Sequence, residues 1–191
     1  MTTQPFQYPA RLSIDYPQAR LDRLTTFFRL IWVIPVAILS SLLTGIGWLA
    51  TAIMIAARQR YPRWWFDYSR ELTKFTTRVG AYVALLTDQY PSTEDEQSVH
   101  LELDYPDAMR DLNRWMPLVK WVLAIQHYIA LFFLGIGVFF AVLIAWFAIL
   151  FTGSYRRALF DYVVGVTRWG LRVNAYAFLL VTDRYPPFSL S

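Results

Sequence analysis

The sequence predicts an all-α integral membrane protein of two tandem pseudo-symmetric repeats. Each repeat is expected to hold a short strand, a transmembrane helical hairpin and a long amphipathic interfacial helix. Three observations predict this: a surplus of apolar side chains, two long uncharged runs, and motifs that recur in the same order in both halves. Of 191 residues, 56% are hydrophobic and 18% aromatic but only 17% are charged, whereas soluble domains average roughly 45–50% apolar and about 25% charged. A chain of this size hides about two-thirds of its unfolded surface on folding, so the excess must face a solvent other than water. Lipid is the economical one. The same balance excludes intrinsic disorder, which needs low hydrophobicity and dense charge. With no cysteine, a disulfide scaffold, a thiolate metal site and a cysteine nucleophile are excluded. The net charge of +4 reads as attraction to anionic lipid; no basic or glycine-rich motif points to nucleic acid.

The recurrence is direct. Phe66 to Leu86 aligns without a gap with Phe160 to Leu180, and 10 of the 21 paired positions are identical. One inserted residue later, Thr87-Asp88-Gln89-Tyr90-Pro91 answers Thr182-Asp183-Arg184-Tyr185-Pro186. Upstream, Asp15-Tyr16-Pro17 answers Asp104-Tyr105-Pro106, and Gly45-Ile46-Gly47 answers Gly135-Ile136-Gly137. Shared order at a fixed spacing marks a duplication. Residues 8–91 are assigned to the first membrane repeat, 92–98 to an acidic linker and 99–186 to the second repeat.

Each repeat opens with alternation, Arg11-Leu12-Ser13-Ile14-Asp15 and Val99-His100-Leu101-Glu102-Leu103. That pattern suits a half-buried strand ended by Tyr-Pro, and two such strands could pair into a minimal ribbon; irregular extended chain is the alternative. Uncharged runs follow, Leu30 to Ala57 and Trp121 to Ser154. Basic residues flank both ends of each run, and since such residues favour the cytoplasmic side, each run is expected to be a hairpin turning at its Gly-Ile-Gly. The competing expectation is one tilted span per run, because 28 residues of helix rise about 42 Å against a hydrocarbon core of about 30 Å. Pro35 is expected to kink the first run.

The third element carries an apolar stripe at helical spacing, Trp65, Tyr68, Leu72, Phe75, Val79, Tyr82 and Leu86, with a matching set from Leu159 to Leu180. Its charges gather elsewhere, so it is placed along the interface, with Tyr90-Pro91 and Tyr185-Pro186 expected to end it. Trp64, Trp65, Trp115, Trp121 and Trp169 are expected to form an aromatic belt.

Recurring ionic residues are the candidate functional positions: Asp67 and Asp161, Lys74 and Arg168, Arg78 and Arg172, Asp88 and Asp183. They could grip lipid phosphate, for which arginine offers a planar fork, or line a polar path. The architectural alternative is that they tie helices together or anchor strand and helix ends. Gln126 and His127, inside an apolar run, are expected to be buried and partnered within the bundle. His100 lies on a polar segment, so His127 lacks companion ligands; no metal and no cofactor are expected, and an interhelical hydrogen bond is the plain reading.

Trp146-Phe147-Ala148-Ile149-Leu150-Phe151-Thr152-Gly153, then Leu159-Phe160-Asp161-Tyr162-Val163-Val164-Gly165-Val166, Arg168-Trp169 and Leu179 to Phe188 carry a resemblance. They are similar to the bacterial membrane family called domain of unknown function 4389. The resemblance spans most of Val119 to Phe188 and extends more loosely to the first repeat, which lacks the Phe-Thr-Gly step before Tyr61. It implies a bacterial multi-pass membrane protein and assigns no catalytic or binding residue.

The polar first 27 residues lack the layout of a secretory signal, so both termini are expected in the cytoplasm and the protein in the inner membrane. The expected function is that of a non-enzymatic scaffold or accessory subunit of a membrane complex or lipid assembly. Its partners would be the bilayer and a second copy or another membrane protein. A small transporter or channel with a path between the repeats is the alternative.

Overall fold

The computed structural model describes residues 8–44, 47–93 and 95–190. Among them the elements run β1 (Ala10–Ile14), α1 (Arg23–Trp32), α2 (Ile34–Thr44), α3 (Gly47–Arg58), α4 (Arg63–Val83), β2 (Val99–Leu103), α5 (Met116–Leu123), α6 (Ile125–Thr152) and α7 (Arg157–Ala177).

β1 and β2 pair antiparallel from Ala10↔Leu103 to Ile14↔Val99. Alternation puts Ala10, Leu12, Ile14, Val99, Leu101 and Leu103 into the core and leaves Ser13, His100 and Glu102 to water, as the period of two requires. Two strands alone are marginal in water; the ribbon is held by packing β1 on α7 and β2 on α4. Behind α4 and α7 lies a second helical layer, α2–α3 and α6, with α1 against α6 and α5 against α3.

Residues equivalent by sequence make matching contacts. Asp15 N–H donates to Ser98 and Asp104 N–H to Pro9, both at 3.0 Å. The Tyr16 hydroxyl donates to the Tyr155 carbonyl, and that of Tyr105 to the Tyr61 carbonyl. Tyr16 meets Phe160 edge-on at 4.9 Å, and Tyr105 meets Phe66 at 5.1 Å. Arg23 donates to the Phe151 carbonyl at the end of α6, and Arg114 to the Ala56 and Ala57 carbonyls at the end of α3. A guanidinium there satisfies helix-end carbonyls and complements the helix dipole. In each case a residue of one half serves the other half.

The hairpin expectation is corrected. α6 runs unbroken for 28 residues through Gly135-Ile136-Gly137. Gly137 is used for close packing instead: a Cβ there would collide with the Tyr162 hydroxyl, which donates to the Leu134 carbonyl at 2.9 Å. The break in the second run falls at Ala124, and that in the first at Val33, just before Pro35, where the helices bend by 48°. Gly45 and Ile46, the expected outer turn of the first run, lie outside the described residues. The described parts of that run still advance in one direction along α4. Val33 and Val36 pack on Phe75, Val79 and Tyr82, while Thr51 accepts from Trp65 Nε1 at 2.8 Å.

The ends of α4 and α7 are also corrected. They stop at Val83 and Ala177, well before Tyr-Pro, because Leu85 and Leu180 take left-handed backbone (φ 64° and 58°). The Leu86 N–H then closes onto Ala81 and the Val181 N–H onto Ala175, satisfying carbonyls the helix end would orphan. The residue inserted in the second half is absorbed in this turn.

Candidate functional site

Each half of the chain sends a buried cation from its first helix under the loop that follows its long amphipathic helix. On α1, Arg29 donates to the Tyr82 and Thr87 carbonyls at 2.9 Å and pairs with Asp88; its guanidinium lies 4.4 Å from the Tyr82 ring centroid. On α5, Lys120 donates to the Thr182 carbonyl and pairs with Asp183, both at 2.7 Å, with its ammonium 5.2 Å from the Tyr176 ring centroid. The second carboxylate oxygen accepts a backbone N–H in both places, from Asp22 at 2.8 Å and from Asn113 at 2.6 Å. Tyr90 and Tyr185 complete the clusters. Their hydroxyls donate to the Trp32 and Leu123 carbonyls beside the helix breaks, and their rings meet Tyr82 and Tyr176 edge-on.

The local sequence builds these sites. Thr87 and Thr182 fold the loop by accepting the N–H two residues on, from Gln89 and Arg184, which is how a hydroxyl sets a tight turn. Asp22 caps α1 by accepting from Leu24 and Thr25, as N-cap residues do, and Asn113 accepts from the Trp115 N–H in the turn that leads into α5. Lys120 is 0% exposed. Burial pushes its ammonium below the usual range, and Asp183 opposes that shift. Chemically, each carboxylate joins a cation to the backbone leading into its helix, so the cluster locks the first helix of that half to the loop after the last one.

The remaining candidates fall into separate environments. Asp67, half-buried, pairs with Arg63 and Arg70, and exposed Asp161 pairs with Arg157, each within its own helix. Lys74 and Arg78 line a cavity between α2 and α4. Arg168 donates to the Leu12 and Leu190 carbonyls and Arg172 to that of Ser189. His127 is fully buried. Its Nδ1 accepts from Trp169 Nε1 at 3.1 Å, and its ring stacks on Phe188 at 4.0 Å. Gln126 is exposed and Trp169 buried, correcting both expectations: one helical position turns Gln126 to the outer face of α6, and Trp169 serves His127 instead of a surface belt.

Arg29 and Lys120, with Tyr82 and Tyr176, were not among the expected site residues. A clue was present, since each is the last charged residue before its uncharged run. The difference in type between Arg29 and Lys120 hid the equivalence.

A second helical layer with exposed apolar side chains on its outer side, and ionic locks beneath its loops, defines a mostly helical protein in which α6 is long and apolar enough to cross a membrane. A family model described as Domain of unknown function (DUF4389) matches the chain over residues 23–93 and again over 114–189. These segments cover more than half of the chain, which belongs to that family. They begin at the equivalent residues Arg23 and Arg114, and each contains one complete cation–carboxylate–tyrosine cluster. No match was found among curated proteins or among solved structures.

Proposed function

We propose that this chain is a non-enzymatic protein of the bacterial inner membrane, built of two pseudo-symmetric units, that serves as a scaffold or accessory subunit of a membrane complex or lipid assembly. The observation that carries the reading is the outer face of α6, where Phe132, Phe133, Phe139, Phe140, Phe147 and Phe151 are all about half exposed or more, Phe151 at 77%. Exposed Phe27, Ile31 and Trp32 on α1 and Ile34 and Ile38 on α2 extend the apolar surface. Soluble monomers rarely expose contiguous apolar patches larger than a few hundred Å².

The layering favours an arrangement within one leaflet over the multi-pass hairpins that the flanking charges suggested. α7 runs antiparallel along α6, with Trp169 against His127 and Tyr162 against Leu134. β1 covers the other side of α7, from Tyr8 at Arg172 to Tyr16 at Phe160. An upright α6 would carry the ribbon's Arg11, Glu102 and Asp104 to mid-bilayer, where each charge costs about 2.5–3.5 kcal/mol on insertion scales. A flat α6 leaves them on the cytoplasmic water side.

Alkaline washing of native membranes tests the embedding: the protein should stay in the pellet and leave only with detergent. Native mass spectrometry from mild detergent tests the scaffold role. A second copy, another membrane protein or bound lipid is expected, and a strict monomer carrying none of them contradicts it. The transporter reading draws on one observation, a groove of about 680 Å³ lined by Thr73, Thr77 and Gly80 of α4, Thr167 and Asn174 of α7 and Gly135 of α6. The threonine hydroxyls there bond back to their own helices, which leaves few groups to replace the water of a solute. Solute flux in proteoliposomes would favour this second reading.

A further inference from the structure

Lys74 and Arg78 sit one turn apart on α4 and face a cavity of about 370 Å³ closed by Leu39 of α2, Tyr68, Phe75 and the Ser92–Thr93 segment. Arg78 is 3% exposed. It donates through one guanidinium nitrogen to the Ser92 carbonyl at 2.5 Å, but its Nε is buried with no hydrogen-bond partner among the described residues. Lys74 is half-buried and has no ion pair or hydrogen bond among the described residues. Glu71, at the cavity rim, is engaged by Arg70 at 3.0 Å. An unpaired buried donor is costly, and a buried cation more so.

The equivalent cations of the second half show what such a pair needs. Arg168 donates to the Leu12 carbonyl at 3.0 Å and the Leu190 carbonyl at 3.4 Å, and Arg172 to the Ser189 carbonyl at 2.9 Å. The position of Glu71 is taken there by Gly165, where a Cβ would lie 2.9 Å from the Leu190 oxygen. The last described residues thus pack into the counterpart site and supply oxygen acceptors to both arginines. At Lys74 and Arg78 the Ser92 carbonyl is the one acceptor outside α4 that the described residues supply, and it serves Arg78 alone.

We infer that Lys74 and Arg78 form a binding site for a phosphate group carried on an anionic phospholipid. A phosphate diester offers the oxygen acceptors that the second half draws from its own backbone, and a lysine–arginine pair one helical turn apart suits one phosphate. The lipid source follows from the wall of the site. Leu39 is about half exposed and adjoins exposed Ile38, so an acyl chain leaving the cavity continues over the apolar face of α2. This rests on the membrane reading above.

The test uses the full chain reconstituted in vesicles of phosphatidylcholine with and without phosphatidylglycerol, then native mass spectrometry of the released protein. One phosphatidylglycerol retained per chain is expected, with phosphatidylcholine not retained. Lys74→Gln should weaken retention about tenfold, while Arg168→Gln, in the site filled by the chain itself, should leave it unchanged. Arg78→Lys keeps the charge and loses the fork, so it should lower retention without loss of folding. Equal retention of both lipids, or equal losses in Lys74→Gln and Arg168→Gln, overturns the site. Inorganic phosphate displacing the lipid at matched concentration overturns the lipid source. Vesicle flotation separates the two readings: no flotation with either lipid sinks the membrane reading, and flotation without phosphatidylglycerol preference sinks this site alone.

Discussion

Leu12 faces Leu101 at the midpoint of the β1–β2 ribbon, and contacts on one side of that pair recur on the other with the two halves exchanged. Asp15 and Asp104, Tyr16 and Tyr105, and Arg23 and Arg114 each bond to residues of the opposite half. The ribbon is one hydrogen-bonded unit made of both halves, so neither half can complete its own core. A chain divided within the linker after Pro91 should therefore yield halves that accumulate only when co-expressed and co-purify as one complex. Independent accumulation of either half as a folded species would contradict this coupling.

The Lys120–Asp183 pair gives a stability prediction. Lys120 is wholly enclosed and Asp183 partly so, and breaking a buried pair from one side leaves an uncompensated charge at a cost of about 3–5 kcal/mol. Asp183→Ala should lower unfolding stability in detergent toward the lower end of that range. Lys120→Met combined with Asp183→Leu should recover most of the loss, because the buried charge is then gone. Losses that simply add would mean that the two side chains are not coupled.

Two glycines of one helix should behave oppositely. A Cβ on Gly137 collides with the Tyr162 hydroxyl, whereas one on Gly135 meets nothing. Gly137→Ala should destabilise by about 1–3 kcal/mol as an overpacking change, and adding Tyr162→Phe should restore stability by removing the obstructing oxygen. Gly135→Ala should be neutral or stabilising by up to about 1 kcal/mol through helix propensity. Thermal unfolding of the three variants checks the order.

Alkaline titration probes the core beneath the ribbon. Burial pushes the Tyr61 phenol up to about 12, with small opposing effects of Ser69 and Thr51, and its hydroxyl donates to the Leu179 carbonyl. Burial raises Tyr8 and Tyr155 in the same direction. The folded value lies above the unfolded one of 10.0, so the neutral phenol's contribution is complete below pH 10 and is lost as pH rises toward about 12. Tyrosinate absorbance should show several late-titrating phenols coincident with unfolding, and Tyr61→Phe should lower that late amplitude by one tyrosine. Titration of every tyrosine near its ordinary value would refute the enclosed core.

Much of the fold was legible because its signals are local. Alternation located both strands, and the 3.6-residue stripe located α4 and α7. Hairpins were not decidable from the sequence, because flanking basic residues do not oblige a run to return to its starting side and a glycine pair such as Gly135 and Gly137 can sit inside a continuous helix. Gly137 instead makes room for Tyr162, a need set by α7 and invisible along α6. Asp88 and Asp183 were legible as recurring residues, but their cations lie far away in sequence and differ in chemical type. The difference between the Lys74–Arg78 and Arg168–Arg172 sites was not legible either, because it depends on where residues 189 and 190 pack.

In the proposed arrangement, hydrocarbon is the solvent for the outer face of α6. The chain has no cysteine, so single cysteines at Phe140 on α6 and Glu102 on the ribbon can each carry a spin label without background. In vesicles, the label at Phe140 should collide with dissolved oxygen and be shielded from a water-soluble nickel chelate, and the label at Glu102 should show the reverse. Equal access of the nickel chelate to both positions would contradict the account.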